Sequence, residues 1–135
     1  MRIRELGHVV VKVRDAKRAE DFYAKTLGIP VAGHTAHPVP MVFFTLGHHH
    51  DFAVMELAKD GPSPDRNTAG LSHVAFKVGD SVDEFDATKS ELEAAGVVIL
   101  FELQHAHSKG MHIHDPDGNE VELFVDIPPA ERTQR

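Results

Sequence analysis

The sequence predicts an α+β fold made of two βαβββ modules, and two internal repeats carry this prediction. The segment HVVVKVRD at residues 8–15 returns 65 residues later as HVAFKVGD at residues 73–80. A second echo relates MEL at residues 55–57 to VEL at residues 121–123. In each copy a stretch with the two-residue period of a strand precedes one with the period of a helix. Three more strand-like stretches follow, and we expect mostly antiparallel pairing among them.

The first module covers residues 5–58. Its opening strand alternates, with three valines on one face and His8 on the other. Asp15 is a typical residue before a helix, which we expect to run to about Leu27 and to end at Gly28. The predicted strands of this module cover residues 6–13, 31–32, 41–46 and 52–57.

The second module covers residues 70–126 and repeats this plan. It follows residues 59–69, where two prolines and a glycine indicate a connector. Ser81 and Glu84 have the spacing of a capping box, and Gly96 ends the helix that they begin. The predicted strands of this module cover residues 71–78, 97–101, 111–114 and 120–125.

Two further segments complete the predicted organisation. The sequence DPDGN at residues 115–119 is typical of a tight hairpin turn. Residues 127–135 are polar and rich in proline, which predicts a loose tail. Residues 1–135 are therefore predicted to form a single domain built from two repeats.

The composition excludes several classes of partner. The formal charge of −7 at pH 7 argues against binding to nucleic acid or to an anionic membrane surface. No stretch approaches the roughly 20 apolar residues that span a bilayer, so we expect a cytoplasmic protein. Cysteine is absent, which leaves neither disulfides nor thiolate ligands. The 11 histidines instead favour metal binding or proton transfer.

The repeat brings together residue types that bind divalent metals. Because side chains alternate along a strand, Glu122 lies on the face opposite two buried-type residues, Val121 and Leu123. His73 likewise lies opposite the apolar side of its strand. If the two sheets curve towards each other, His8, His73 and Glu122 converge, and two imidazoles with a carboxylate are a typical metal-binding set. Glu56 occupies the matching place in the second echo, so it either joins this set or points past it.

The motifs at both ends resemble the vicinal oxygen chelate superfamily. The opening GHVVVKVRD at residues 7–15, followed by FYAKTLG at residues 22–28, is similar to the start of such proteins, and DPDGNEVEL at residues 115–123 is similar to their most recognisable segment. This group includes glyoxalase I, fosfomycin and bleomycin resistance proteins and type I extradiol dioxygenases. The resemblance implies an open, cup-shaped sheet around a divalent metal, in a chain closest to small catechol 2,3-dioxygenase-like members.

Among these activities, the resemblance favours extradiol cleavage of a catechol-like aromatic by dioxygen. His8, His73 and Glu122 then match the two-histidine, one-carboxylate set that holds Fe(II) in non-haem oxygenases. The segment HDFAV at residues 50–54 resembles a motif whose histidine is an acid/base, a role that we assign to His50. His112 is a second candidate catalytic residue. The predicted substrate contacts are His114, Phe52, Val54 and Phe124.

Two alternatives stay open. In a glyoxalase- or epimerase-like lyase or isomerase, Glu56 is a fourth ligand and the metal is Zn, Ni or Co; Mn is a further candidate. A small-molecule-binding protein similar to bleomycin-resistance modules is the other alternative, but such modules usually lack metal ligands. For either enzyme class we expect a homodimer, so the site lies within one chain or across two.

Overall fold

In the computed structural model, which describes residues 1–57 and 59–132, the chain forms two units, Met1–Ser63 and Pro64–Arg135. Each unit contains one mixed four-stranded sheet with its helical segment packed on one face. This arrangement confirms the predicted α+β class and the βαβββ order of each half. No helix in the described ranges has the length and apolarity that crossing a bilayer requires.

The sheet of the first unit has the strand order β1-β4-β3-β2. The outer strand β1 runs parallel to β4, whereas the other two pairs are antiparallel. Two of the three pairs are therefore antiparallel, as the sequence predicts. The strands are β1 (Val9–Val13), β2 (Val31–Thr35), β3 (Met41–Phe44) and β4 (Phe52–Glu56).

The helical segment of this unit has two parts. Helix α1 covers Ala16–Glu20 and begins after Asp15, whose side chain accepts a hydrogen bond of 2.9 Å from Arg18 N. The chain then continues as a π-helical segment over Asp21–Thr26. The sequence predicts one continuous α-helix here. The start and end of this helical segment are confirmed, but its second part is π-helical. The π-helical segment contributes Tyr23, which is fully buried against the sheet.

The sheet of the second unit has the equivalent order β5-β8-β7-β6, with β5 parallel to β8. The predicted strand at residues 97–101 is wrong, because the chain reaches the sheet only at Phe101 and Val98 is 72% exposed. The third strand of this unit begins at Ser108, three residues earlier than predicted. The elements are β5 (His73–Gly79), α2 (Val82–Ala94), β6 (Phe101–Gln104), β7 (Ser108–His114) and β8 (Glu120–Asp126).

The alternation predicted for β8 is confirmed. Val121, Leu123 and Val125 are buried on the face that packs against α2. Glu122 and Phe124 lie on the other face and are half-buried. Burial of about three such apolar side chains stabilises the unit and fixes which face is left for polar residues, because a shift of one residue would exchange the two faces.

The turn between β7 and β8 is organised by one buried carboxylate. Asp115 is 4% exposed, and its Oδ1 accepts hydrogen bonds from Asp117 N at 2.8 Å and Asn119 N at 2.9 Å. Its Oδ2 accepts a third bond of 2.9 Å from Asn119 Nδ2. Gly118 adopts a φ of 87°, which favours glycine. The predicted tight turn at residues 115–119 is thus confirmed.

The tail predicted for residues 127–135 falls partly outside the described residues, which end at 132. Within them, Ile127 is buried and its N–H donates a hydrogen bond of 2.8 Å to His107 O. A 3-10 turn follows over Pro129–Glu131. Ile127 therefore extends the apolar row of β8 by one more residue.

We expect Asp115→Ala to lower the free energy of unfolding by about 2–4 kcal/mol, because one buried and two part-buried donors lose their acceptor. Urea denaturation followed by circular dichroism measures this loss. Asp115→Asn keeps one acceptor oxygen and should be less destabilising, and Asp60→Ala removes an exposed carboxylate as the control. Equal stability of Asp115→Ala and Asp60→Ala would contradict the proposed role of the turn.

Candidate metal centre

The pairing of three strands in the second unit places two rows of polar side chains on one face. In the first row, His112 of β7 lies opposite Glu122 of β8, which lies opposite Ala75 of β5. In the adjacent row, Glu120 of β8 lies between His114 and His73. One ligand atom each from His73, His112 and Glu122 lies within 4.8 Å of the other two. These three side chains form a group that we call the second-unit cluster.

His112 is the most enclosed member of this cluster. Its side chain is 4% exposed, and its ring stacks on Phe101 with the centroids 4.3 Å apart and the planes inclined by 17°. Its Nδ1 lies 2.9 Å from Glu120 Oε2, and its Nε2 lies 3.3 Å from Glu122 Oε1. The imidazole is therefore held between two carboxylates.

The hydrogen bond to Glu120 assigns the tautomer of His112. A carboxylate only accepts, so Nδ1 carries the hydrogen and a neutral ring leaves a lone pair on Nε2. This buried Nε2 has no hydrogen-bond partner among the described residues, although it faces Glu122. A lone pair opposite a carboxylate is unfavourable unless a proton or a metal cation lies between them. The donors of the cluster, two nitrogens and one oxygen, therefore fit a divalent transition metal.

Gly110 makes room for the carboxylate of this cluster. A Cβ built on Gly110 would lie 3.1 Å from both Cδ and Oε1 of Glu122, which is closer than ordinary van der Waals contact. Glu122 consequently lies across the bare backbone of β7, beside the histidine of the same strand. A larger residue at 110 would displace the carboxylate by a few tenths of an ångström.

His73 completes the cluster at its more open side. Its side chain is 34% exposed, and its Nδ1 lies 3.0 Å from Ser72 Oγ and 3.9 Å from Glu120 Oε2. Its ring centroid lies 5.0 Å from that of His112. His73 can therefore reach a ligand from solvent while His112 cannot turn away.

The first unit contains a separate group of three histidines. The ring of His8 lies 4.8 Å from that of His50 and 5.9 Å from that of His49, and the rings of His49 and His50 lie 3.7 Å apart. Phe43 contacts His50 edge-on at 5.2 Å. Partial desolvation holds the pKa of His50 below its ordinary value, and the neighbouring His49 and His8 lower it further. His50 is therefore more readily deprotonated than an unperturbed histidine.

The strand register corrects the place of Glu56 in the repeat. Ala75 is the repeat counterpart of Val10, and these residues pair with Glu122 and Ala53 respectively. Ala53 is thus the counterpart of Glu122 in the first unit. Glu56 is three residues further along β4 and points to the opposite face. The segments MEL and VEL are therefore similar in sequence but are not structurally equivalent.

Glu56 has local partners at the start of α1. Its Oε2 accepts a hydrogen bond of 2.9 Å from Ala16 N, and its Oε1 lies 3.5 Å from Lys59 Nζ. It pairs in β4 with Val13, which is buried under the helix. These contacts give Glu56 a structural role, because its carboxylate accepts a hydrogen bond from a backbone N–H in the first turn of α1.

The predicted substrate residues fall into two groups. Phe52 and Val54 are buried on the helix side of β4, and the Phe52 ring lies 4.8 Å from that of Tyr23, so both have a structural explanation and their contact with a substrate stays a prediction. Phe124 instead lies on the same face as Glu122 and pairs with Gly110. His114 is exposed at the end of β7 and lines a cavity with Glu120. His112, predicted as a catalytic residue, lies in the second-unit cluster, and its catalytic role stays a prediction.

The sequence patterns did not identify three residues that surround the second-unit cluster. Glu120 holds His112, Phe101 stacks on it and Gly110 admits Glu122. The available signal was the alternation of β8, which places Glu120 on the same face as Glu122. No local pattern relates these residues to His112, because that relation depends on the pairing of β7 with its two neighbours.

Comparison with known proteins agrees with this fold. Residues 5–123 match the model of the glyoxalase/bleomycin resistance protein/dioxygenase superfamily. The solved glyoxylase/bleomycin resistance protein/dioxygenase domain from Frankia sp. EAN1pec superposes with a TM-score of 0.79 at 19% identity, over 93% of this chain and 99% of that one. At this level of identity the likeness concerns the fold alone.

Two curated relatives are similar in sequence. Biphenyl-2,3-diol 1,2-dioxygenase 3 of Rhodococcus globerulus is 29% identical over 127 residues, which is 90% of this chain and 63% of that protein. Catechol-2,3-dioxygenase of Bacillus subtilis (strain 168) is 26% identical over 91% of this chain and 42% of its own length. The chain thus spans less than two thirds of each of these relatives.

We expect Glu120→Ala to release the His112 ring and to weaken divalent metal binding about 10-fold, because the acceptor that orients the ring is lost. Glu120→Gln retains an acceptor oxygen and should preserve most of the affinity. Metal titration calorimetry measures the affinity, and ¹⁵N NMR of the imidazole reports the Nδ1–H tautomer. An unchanged tautomer and affinity in Glu120→Ala would show that Glu120 does not orient His112.

Proposed function

Since the chain belongs to the glyoxalase/bleomycin resistance protein/dioxygenase superfamily, we propose that it is a metal-dependent, extradiol-type dioxygenase acting on a catechol-like aromatic diol. The observation that carries the proposal is the Nε2 of buried His112, which has no hydrogen-bond partner among the described residues and faces Glu122 beside His73. Two relatives named as diol dioxygenases support the reaction class.

The second-unit cluster supplies a two-histidine, one-carboxylate donor set. Such a set suits Fe(II), because it leaves coordination positions for a diol and for dioxygen, and this is the chemistry that the metal supplies when bound. Zn, Ni, Co and Mn are the alternative metals. The predicted ligand set of His8, His73 and Glu122 differs from this cluster in having His8 in place of His112, and it stays a prediction because His8 belongs to the first unit. The homodimer and the cytoplasmic location also stay predictions.

The protein's own residues would hold the substrate and move its proton. A catechol hydroxyl becomes a better ligand when it loses its proton, so a neutral base near the substrate assists binding. His50 of the first unit has the protonation state that this role requires, because its lowered pKa favours the neutral imidazole. That His50 lies near the substrate stays a prediction. Phe124, on the same face as Glu122, offers an apolar surface for an aromatic ring.

The contacts of Glu56 weigh against a four-ligand, glyoxalase-like centre. Its carboxylate accepts from Ala16 N and lies near Lys59, on the face of β4 opposite to Ala53. No observation favours the resistance-protein alternative. A binding module without a metal does not require a buried histidine held between two carboxylates.

Oxygen uptake tests the proposed function. We expect protein reconstituted anaerobically with Fe(II) to consume about one O₂ per diol cleaved when catechol or biphenyl-2,3-diol and then oxygen are added, with a yellow ring-opened product. Glu122→Ala should lower Fe(II) affinity about 10-fold or more and abolish uptake, because the charged ligand is lost. Glu102→Ala, which removes a carboxylate from β6, is the matched control.

A protein that binds Fe(II) tightly yet consumes no oxygen with a panel of catechols would refute the dioxygenase proposal. Loss of uptake in Glu102→Ala equal to that in Glu122→Ala would attribute the effect to net charge instead of ligation.

Substitution of Glu56 separates the two enzyme classes. We expect Glu56→Ala to leave metal affinity unchanged and to lower the free energy of unfolding by about 1 kcal/mol, since Ala16 N loses its acceptor. Titration calorimetry and urea denaturation on the same samples measure both quantities. A 10-fold loss of metal affinity would instead support the four-ligand centre.

A further inference from the structure

A small polar cavity lies beside the second-unit cluster. Its volume is about 240 Å³, and Glu120, which holds His112, forms part of its wall. Most of the other lining residues belong to the segment 64–72 that leads into β5. The last of these, Ser72, contacts His73 through its hydroxyl. The cavity therefore adjoins the proposed metal centre on two sides.

Both carboxylates of this cavity are engaged with local partners. Asp65 accepts hydrogen bonds from Asn67 N at 2.8 Å and from Thr68 Oγ1 at 3.0 Å. These bonds hold the pKa of Asp65 below its ordinary value. Glu120 accepts from His112 Nδ1. Both carboxylates therefore stay ionised and hold donors of their own, which leaves Arg66 as the residue of this lining that attracts an anion.

Arg66 is the strongly basic residue among those that line the cavity. Its Nη2 lies 3.9 Å from Glu120 Oε1, which exceeds hydrogen-bond distance, and its side chain is 74% exposed. A guanidinium has five donors arranged in a fork that matches a carboxylate, so one distant ion pair leaves most of this capacity. His114, exposed at the end of β7, lines the same cavity and can donate a further hydrogen bond.

We propose that this cavity is an anion subsite in which Arg66 binds a carboxylate of the substrate, so that the preferred substrate is a single-ring diol carrying an acid group. This inference rests on the proposed function and specifies its substrate class. The volume is below the roughly 300–1,000 Å³ of pockets that enclose drug-sized ligands, which suits a small substituent better than a second aromatic ring.

A binding experiment tests the subsite without any reaction. Benzoate and its neutral analogue benzamide are titrated into the full chain and followed by ¹H–¹⁵N NMR. We expect benzoate to bind at least about 5-fold more tightly, with shifts concentrated at residues 66–72, because the charged pair forms only with the acid. Arg66→Gln should remove this preference and Arg66→Lys should retain part of it. Arg4→Gln removes the same charge from the first unit and is the control.

Equal affinity for benzoate and benzamide would overturn the subsite, as would an effect of Arg4→Gln as large as that of Arg66→Gln. A kinetic arm compares kcat/KM for 3,4-dihydroxybenzoate with that for catechol, and Arg66→Gln should lower this ratio about 5-fold. If catechol is cleaved and the ratio is unchanged, the inference fails and the dioxygenase proposal stands. If benzoate binding requires Arg66 but no diol consumes oxygen, the dioxygenase proposal fails and the anion subsite stands.

Discussion

The hydrogen bond between His112 and Glu120 is the interaction on which the chemistry of the second unit depends. It uses Nδ1, so the buried Nε2 faces the carboxylate of Glu122. The stack of Phe101 on one face of the ring prevents His112 from rotating away. The lone pair of Nε2 is therefore available to a cation, which is the basis of the proposed metal centre. A histidine thus lies where burial alone would favour an apolar side chain.

Those parts of the structure that depend on short-range patterns could be predicted from the sequence. The alternation of β8 assigned Glu122 to the face away from α2, because a strand with one buried face displays its period directly. Asp15 and Ser81 begin their helices as expected, and the turn at residues 115–119 follows from its aspartate and glycine. Each of these features is decided by residues within five positions of each other.

The remaining features depend on which strands pair and in which register. The resemblance of MEL to VEL suggested that Glu56 matches Glu122, whereas the ladders pair Glu122 with Ala75 and assign its place in the first unit to Ala53. The role of His112 likewise required the register of β7 against β8. Phe52 is of a residue type that often contacts aromatic ligands, but an aromatic side chain on a strand fits a core equally well.

The turn that joins β7 to β8 has a consequence for engineering this protein. The backbone N–H groups of Asp117, Gly118 and Asn119 all donate to Asp115, so a change in the length of the turn would break that set of bonds. A residue inserted there would break these bonds, and a compensating slip of β8 by one residue would exchange its polar and apolar faces. Substitutions intended to create new activities should therefore be made in the surface segment around Arg66. The hairpin should be kept, or transferred to another protein, as a whole.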